Sequence, residues 1–433
     1  MKNRIKQYLL AASMCVGLTA CSDFFEPIPG VQFGLDETFA SKQRTEEYLN
    51  NVYSYVREVT DAIHPNTYGG IFTEASLDGA NRWNKTYAEW TNGSFNSASA
   101  QASEYFSKYY QAIAKASTFI QNVDKCTEAA ASTRGKWKSE ARALRAYYYF
   151  ELLRLYGPIP LIGEDPIPLD ASLEELIKER NSVDECVNFI ATELQSAIDS
   201  GDLLQRAGKA NLGRMDVATC MALKAKLYLY WASPLFNGNT DQASVKNKDG
   251  KQLFPQTEDN SKWAQARDAY ERFMTFATGQ GYKLTEVYTN GKLDPYASCR
   301  AAGEFFTTTW EAVDELIFVK LRDLYDYTYW VCPKFTDFQD TDVTGGGGYY
   351  TTQETVDLFF TKDGLTIEED PSYDKFEGIP GANNFTSGRY YDPNNPSRLY
   401  FDADKSKVLK QWKDREPRFY VNITYSGSIW LNE

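Results

Sequence analysis

The stretch from Ser139 to Ile162, SEARALRAYYYFELLRLYGPIPLI, is the part of the chain that most limits the fold. Its apolar and aromatic side chains recur at the 3.6-residue period of an α-helix rather than at the two-residue period of a strand. The predicted buried stripe consists of Ala141, Leu144, Tyr148, Leu152 and Leu155. Gly157 can adopt the left-handed conformation in which helices commonly end, and Pro158 cannot continue a helix. The tyrosines of this stretch are therefore predicted to belong to the scaffold.

Helical periodicity continues through the first 280 residues or so. Apolar spacing predicts further helices at 36–59, 101–123, 182–198, 215–232 and 261–278. Trp263, Ala266 and Tyr270 match the first half of a tetratricopeptide repeat, although no strict repeat period runs through the chain. We therefore predict a mostly α fold, in which tetratricopeptide-like helical hairpins over residues 36–280 stack into an α-superhelix.

Several of these helices carry local signals at their ends. Ser182 followed by Glu185 forms a capping box, which predicts a helix that begins after Ser182. Pro234 predicts the end of the helix that starts near Met215. Gly279 is placed as the C-cap of the helix before it.

Residues 281–433 have a different character, because long stretches of them lack any periodicity. Short strands are predicted at Glu315–Leu321 and Val421–Tyr425, and Gly345–Gly348 indicates a flexible run. Proline, asparagine and tyrosine crowd residues 371–400. Long irregular loops in a compact body usually carry function or face a partner. We therefore predict a loop-rich C-terminal half with small helices and short strands.

The N-terminus predicts export. Lys2, Arg4 and Lys6 precede an apolar run at 8–19 that is too short to span a bilayer as a mature helix. The sequence LTAC, which ends at Cys21, resembles a bacterial lipobox, and the alternative is an ordinary signal peptide with a chance cysteine. We predict a lipoprotein signal peptide at 1–20, a lipid on Cys21 that anchors the protein to a membrane, and a tether at 21–35.

Charge and residue usage exclude several function classes. The formal net charge of −13 argues against a nucleic-acid partner, because an acidic surface repels phosphate. His64 is the chain's one histidine, so zinc sites and histidine-based catalysis are disfavoured. The cysteines beyond Cys21 are odd in number, widely spaced and without a C-x-x-C pair, so they indicate neither a disulfide framework nor a metal knuckle. Cys186 and Cys220 lie in helical patterns and are predicted to be buried.

Several motifs in order resemble those of the SusD/RagB family, the nutrient-binding outer-membrane lipoproteins of Bacteroidetes. The matching segments are CSDFFE, KSEARALRAYYYFELLRLYGPIPLI, ERNSVDECVNFIATELQSAI, MDVATCMALKAKLYLYWASPLFNG, KWAQARDAYERFM, TTQETVDLFFTKDG and QWKDREPRFYVNITYSG. Members of the family usually continue well past the DREPRFY landmark, so we expect the C-terminal region, 281–433, to be incomplete.

The resemblance implies a function. Proteins of this family sit on the cell surface, bound by lipid to the outer membrane, and act like a lid on a TonB-dependent, SusC-like transporter. They capture an oligosaccharide, a polysaccharide or another nutrient and deliver it for import. Helical hairpins form the frame and the docking face, and the loops between helices form a shallow aromatic binding surface.

Two segments carry the residue types that a glycan-binding surface needs. Sugar rings pack their C–H faces on aromatic side chains, and their hydroxyls need polar partners. In residues 78–96, DGANRWNKTYAEWTNGSFN, the predicted ligand-binding residues are Arg82, Trp83, Tyr87, Trp90 and Asn92. The second predicted cluster consists of Tyr327, Tyr329 and Trp330. The alternatives are tryptophans that plug the helix ends in the first segment and a packed strand of alternating tyrosines in the second.

No cofactor is predicted. Asp337, Asp340 and Asp342 supply oxygen ligands of the kind calcium takes, but they lack EF-hand spacing, and a solvated loop is favoured. Gly345–Gly348 is not followed by the lysine and hydroxyl residue of a phosphate-binding loop.

A binding protein is favoured over two other classes. A helical glycoside hydrolase needs only two suitably placed carboxylates, and among 59 acidic residues such pairs can always be found. A tetratricopeptide adaptor would have neither a signal peptide nor a loop-rich second half. We therefore predict a glycan-binding protein without enzymatic activity.

Overall fold

The computed structural model describes residues 34–57, 76, 79–81, 89, 93–165, 167–168, 171–303, 314–320, 347, 349–376 and 378–429. Within these residues the fold is mostly α with small two-stranded sheets, which confirms the predicted fold class. The helices are α1 Leu35–Ala40, α2 Lys42–Tyr53, α3 Ala100–Asn122, α4 Ala131–Tyr156, α5 Leu173–Leu176, α6 Val183–Asp199, α7 Val217–Ala232, α8 Ser261–Gly279, α9 Pro295–Gly303, α10 Gln353–Asp357 and α11 Pro417–Asn422. The strands are β1 Ala80–Asn81, β2 Tyr288–Thr289, β3 Lys292–Leu293, β4 Tyr349–Tyr350, β5 Arg389–Asp392 and β6 Asn395–Asp402.

The long helices pack on one another in chain order. Helix α3 lies against α4, α4 against α6, α6 against α7, and α7 against α8. Each buries an apolar face against its neighbour, and one continuous core extends from Phe39 in α1 to Phe254 before α8. This arrangement of successive helix pairs is the stacking that the sequence predicts.

Helix α4 lies at the centre of this core, and its aromatic residues are structural. Tyr148 and Tyr149 are fully buried, and the Tyr148 hydroxyl donates to the Val52 carbonyl of α2. The Tyr149 hydroxyl both donates to the Ile162 carbonyl (2.9 Å) and accepts from the Ile162 amide (3.0 Å). Each buried hydroxyl therefore has a backbone partner, as burial of a polar group requires. The scaffold role predicted for this stretch is confirmed, and Leu155 of the stripe is half-buried.

A buried ion pair joins α4 to its neighbours. Arg145 of α4 is fully buried and donates through Nε to Glu193 Oε2 of α6 (2.8 Å). Its Nη1 also donates to the Ser117 hydroxyl of α3 (3.1 Å). The charge is thus paired and hydrogen-bonded, which is the condition under which a buried guanidinium is tolerated.

Helix ends follow the sequence signals with one exception. Ser182 and Glu185 form the expected capping box, with Glu185 N–H to Ser182 Oγ at 3.3 Å and Ser182 N–H to Glu185 Oε2 at 2.7 Å. Gly157 has a positive φ of 68°, and a Cβ there would lie 2.9 Å from the Phe254 ring. Gly279 is not a C-cap, because α8 includes it and the positive φ falls on Gly281, at 81°.

Three other sequence predictions are wrong in detail. The helix expected over 36–59 is split at Ser41, whose extended backbone (ψ 130°) separates α1 from α2. Residues 315–320 form no strand. The Thr219 hydroxyl of α7 donates to the Ile317 carbonyl (3.3 Å), and Lys320 Nζ donates to the Val56 carbonyl (2.6 Å), so the segment crosses between helical elements. Residues 421–422 end α11, which begins at Pro417 in the position where proline favours a helix start.

The C-terminal half has a small aromatic core of its own. Strands β5 and β6 form an antiparallel hairpin with register shifts on both sides of Tyr391. Tyr400 of β6 stacks on Tyr420 of α11, with ring centroids 3.9 Å apart and an interplanar angle of 10°. Phe401 and Val408 are buried in the same cluster. The high tyrosine content of this half therefore serves, in this cluster, to pack a loop-rich region rather than to present rings to a ligand.

Candidate functional site

A short strand pair joins two distant parts of the chain. Strand β1 pairs antiparallel with β4, with Ala80 opposite Tyr350 and Asn81 opposite Tyr349. Strand β1 lies near the start of the first predicted segment, 78–96, and Asn81 is followed directly by the predicted ligand-binding residue Arg82. The second predicted cluster lies in the part of the chain that leads to β4. The pairing therefore places Tyr350 beside the start of the first segment.

Tyr350 is the exposed aromatic residue of this strand pair. Its side chain is 53% exposed, whereas most of the tyrosines in the described helical core are buried or half-buried. An exposed ring on a paired strand has its backbone fixed, so it offers a flat surface at low conformational cost. The sequence patterns did not single out Tyr350. The feature that could have identified it is the pair Tyr349-Tyr350 directly after the glycine run at 345–348.

The C-terminal end of the first segment, just before α3, is held by hydrogen bonds. The Phe95 amide donates to the Glu89 carbonyl (3.0 Å). The Asn96 side chain accepts from the Ala98 amide (2.9 Å), and the Ser99 hydroxyl accepts from the Asn96 amide (3.1 Å). Ser94 and Asn96 remain exposed. The segment between β1 and α3 is thus fixed at both ends by described contacts.

Residues 314–320, here called the strap, cross the helical core. Asp314 accepts from Arg206 (2.9 Å), and this hydrogen bond lowers the pKa of the carboxyl group. At the other end of the strap, Lys320 Nζ donates to the Val56 carbonyl just beyond α2 (2.6 Å). The strap therefore fixes the point at which the chain enters residues 321–346.

The predicted site residues themselves lie outside the described residues. This holds for Cys21, Arg82, Trp83, Tyr87, Trp90, Asn92, Tyr327, Tyr329 and Trp330, and for Asp337, Asp340 and Asp342. Their roles stay predictions. What the structure adds is the position of their flanking residues, together with the exposed Tyr350, which the sequence patterns did not single out.

The best-connected carboxylates of the C-terminal half have a structural role. Arg398 donates to both oxygens of Asp294 (2.9 and 3.0 Å) and to Asp392 (2.6 Å). The hydrogen bonds from Arg398, with smaller contributions from the Ala297 amide and the Thr289 hydroxyl, lower the pKa of Asp294 to about 2. A carboxylate held ionised in this way is unsuited to general-acid catalysis at neutral pH.

A groove beside α3 is too apolar for a glycan. It has a volume of about 400 Å³ and lies between α3 and the extended segment after α4. Its lining includes Phe106, Tyr110, Ile162, Leu176 and Ile177. Few polar groups reach it, so sugar hydroxyls would lack partners there.

Within the described part of the chain, no cluster of acidic, cysteine or histidine side chains has the arrangement of a metal site. The helices seen there are also too short or too polar to cross a membrane. Cys186 and Cys220 are buried, as predicted, and burial raises the pKa of the Cys186 thiol to about 12.

Comparison with known proteins identifies the family. Residues 32–229 match a family model described as "Starch-binding associating with outer membrane". Residues 315–433 match a second model described as "SusD family". Together the two matches cover well over half of the chain.

Individual proteins support the match. A SusD-like protein from Bacteroides ovatus is 27% identical over 175 residues, which make up 39% of this chain and 30% of that protein. The solved structure of BT4246 has a TM-score of 0.68 at 24% identity and covers 88% of this chain and 64% of its own. A SusD-like protein from Bacteroides fragilis NCTC 9343 has a TM-score of 0.60 at 20% identity, with 90% and 62% covered.

The chain spans less than two thirds of the length of each of these proteins. The similarity to the solved structures shows that the fold is shared. Taken with the two family matches and the order of the sequence motifs, it shows that this chain belongs to the SusD family.

Proposed function

We propose that this protein binds a glycan at the bacterial cell surface and delivers it to a TonB-dependent, SusC-like transporter in the outer membrane. The structural observation that most supports this is the β1–β4 pair, because it places the exposed Tyr350 ring opposite Ala80, two residues before the first predicted ligand contact, Arg82. Membership of the SusD family supports a carbohydrate as the ligand class.

The proposed binding surface combines rings with hydrogen-bonding groups. Aromatic faces at both segments and at Tyr350 pack against the C–H faces of sugars, and guanidinium and amide groups bond the hydroxyls. The proposed contacts are Arg82, Trp83, Tyr87, Trp90, Asn92, Tyr327, Tyr329, Trp330 and Tyr350. A shallow surface of this kind suits an extended polymer better than a free monosaccharide.

Affinity electrophoresis tests the proposal. Native gels are cast with laminarin, starch, xylan, galactomannan, polygalacturonate or chondroitin sulfate. Laminarin is included because a laminarin-binding SusD-like protein shares the fold, with a TM-score of 0.51 at 17% identity. We expect retardation by at least one polysaccharide without release of reducing sugar. Unchanged migration in every gel contradicts the proposal, and sugar release favours the glycoside hydrolase.

We propose that binding needs no metal or cofactor. Retardation is then unchanged when EDTA is present in gel and sample. A loss of retardation that calcium restores would instead assign a ligand role to the acidic run at Asp337, Asp340 and Asp342.

The anchor and the transporter contact are separate parts of the proposal. We expect labelled palmitate to enter the wild-type protein in a bacterial host and not the Cys21→Ala variant. Co-purification of the lipidated protein with an outer-membrane barrel from its native membrane tests the contact with a transporter. Label in the Cys21→Ala variant contradicts the anchor without bearing on glycan binding.

A further inference from the structure

A small cavity lies where the helices α6, α7 and α8 meet. It has a volume of about 200 Å³. Each helix contributes two side chains to its lining, which consists of Gln195, Ile198, Met221, Lys224, Ala269 and Arg272. The two members of each pair are three residues apart, so they lie on the same face of their helix. The cavity is therefore built from three rigid elements of the helical core.

Two cations that line this cavity lack a carboxylate partner among the described residues. Lys224 is half-buried, and its Nζ donates to Gln195 Oε1 (2.6 Å) and lies 5.9 Å from the centre of the Tyr228 ring. Arg272 is exposed and makes neither an ion pair nor a hydrogen bond with any residue that the structure describes. The chain has 59 acidic residues and 46 basic ones, so a shortage of carboxylates does not explain this.

The acidic group Asp199 lies near the pair but does not neutralise it. Its Oδ1 accepts from Gln195 Nε2 (2.7 Å), so the amide of Gln195 bonds to this carboxylate on one side and to Lys224 on the other. Burial and, after it, the positive charge of Arg272 lower the pKa of Lys224, and the opposing effect of Asp199 is smaller than either. An anion between Lys224 and Arg272 would offset both effects.

The size and the remaining wall of the cavity limit which anion fits. The volume lies below the range of roughly 300–1,000 Å³ that is typical of ligand pockets, so the ligand must be small. Ile198, Met221 and Ala269 supply apolar surface beside the two cations. A hydrocarbon group is stabilised by contact with such a surface, whereas a bare inorganic ion is not. The wall therefore favours an anion that carries a short hydrocarbon chain.

We propose that this cavity binds a small organic carboxylate. Its carboxylate group lies between the Lys224 ammonium and the Arg272 guanidinium, whose planar fork matches two carboxylate oxygens. Its hydrocarbon chain packs on Ile198, Met221 and Ala269. The site is formed entirely by the helical core, so it is separate from the proposed glycan surface and does not depend on it.

Ligand-observed NMR and calorimetry with butyrate as the probe test the proposal. Butanol has the hydrocarbon chain without the charge, inorganic phosphate has the charge without the chain, and sodium chloride keeps the ionic strength equal in all samples. Lys224→Met and Arg272→Met each remove one cation. Lys292→Met, at an exposed lysine of β3, is the matched control. Thermal unfolding without ligand shows whether each variant is folded.

We expect saturation transfer from the wild-type protein to butyrate and none to butanol. Butyrate should bind at least fivefold more tightly than phosphate. Lys224→Met and Arg272→Met should each weaken butyrate binding about tenfold, which is the scale of a hydrogen bond to a charged group. Lys292→Met should bind butyrate as wild type does.

Four results overturn the proposal. They are the absence of saturation transfer to butyrate in wild type, equal affinity for butyrate and either butanol or phosphate, wild-type affinity in a folded variant of either cation, and an equal loss in Lys292→Met. If Lys224→Met does not fold, the exposed Arg272→Met decides alone. None of these results bears on the proposed glycan binding.

Discussion

At the scale of single residues, the Arg145–Glu193 pair shows how α4 is specified. Both side chains are buried, and the two partners come from different helices of the core. Removing one partner leaves an uncompensated charge, whereas replacing both by apolar side chains can be neutral.

We expect Glu193→Ala to lower the free energy of unfolding by about 3–5 kcal/mol, because Arg145 then stays buried without its carboxylate. The double variant Arg145→Met/Glu193→Leu should recover most of that loss. Urea unfolding followed by circular dichroism measures both. The exposed pair Lys138–Asp124 is the control, and its disruption should change stability far less. Equal losses of unfolding free energy on disrupting the buried and the exposed pair would show that burial does not determine how much an ion pair contributes to stability.

Tyr350 allows a similar test of binding. We expect Tyr350→Ala to weaken the binding of a retarding polysaccharide by about 1 kcal/mol, the usual scale of a ring contact, without a change in Tm. Calorimetry with a soluble oligosaccharide of that polymer gives the affinity. Tyr288→Ala is the control, because Tyr288 is a similarly exposed tyrosine on β2, at 59%. Equal affinities for wild type and Tyr350→Ala would remove β4 from the site.

At the scale of elements, Asp294 links three parts of the C-terminal half. It accepts from the Ala297 amide at the start of α9 (2.9 Å) and from the Thr289 hydroxyl of β2 (2.9 Å). Arg398 reaches it from β6. One carboxylate therefore ties a helix start to two hairpins, and its ionisation matters for all three.

This linkage predicts a pH dependence with a definite sign. The pKa of Asp294 falls from 3.8 to about 2 on folding, so its ionised form stabilises the folded state. The stabilisation of about 2 kcal/mol is complete above pH 4 and is lost as the pH falls towards 2. Unfolding midpoints measured from pH 7 to pH 2 should therefore converge for wild type and Asp294→Asn. A difference that persists unchanged at pH 2 would contradict this.

The helices could largely be predicted from the sequence, but the contacts between loops could not. Helix starts such as Ser182 carry local signals, and the buried stripe of α4 repeats within one segment. The strap was predicted to be a strand because a short apolar run has the same sequence pattern whether it pairs with another strand or crosses helices. The β5–β6 hairpin was missed because Pro393 lies in its turn and Pro396 lies in β6 itself, and proline argues against strand structure.

At the scale of the whole molecule, the candidate site depends on which residues, distant in the sequence, the fold brings next to each other. Composition and local pattern selected two aromatic segments, and neither contains information about the other. The β1–β4 pair, which places Tyr350 beside the first segment, is formed by residues far apart in the sequence, at 80–81 and 349–350. Long-range strand pairing depends on the whole fold, so no local rule predicts it. Tyr350 becomes a candidate contact residue only because of this pairing.

If the two segments form one surface, ligand length should reveal it. A long oligosaccharide of a retarding polysaccharide reaches both segments, so Trp83→Ala and Trp330→Ala should each weaken its binding by about 1–2 kcal/mol. A trisaccharide fills one segment and should respond to only one substitution. Calorimetry with a length series measures this, and Trp263→Ala, on the exposed face of α8, is the control. Long oligosaccharides that are insensitive to one of the two tryptophans would show that the segments bind separately, because a continuous surface engages a spanning ligand at both.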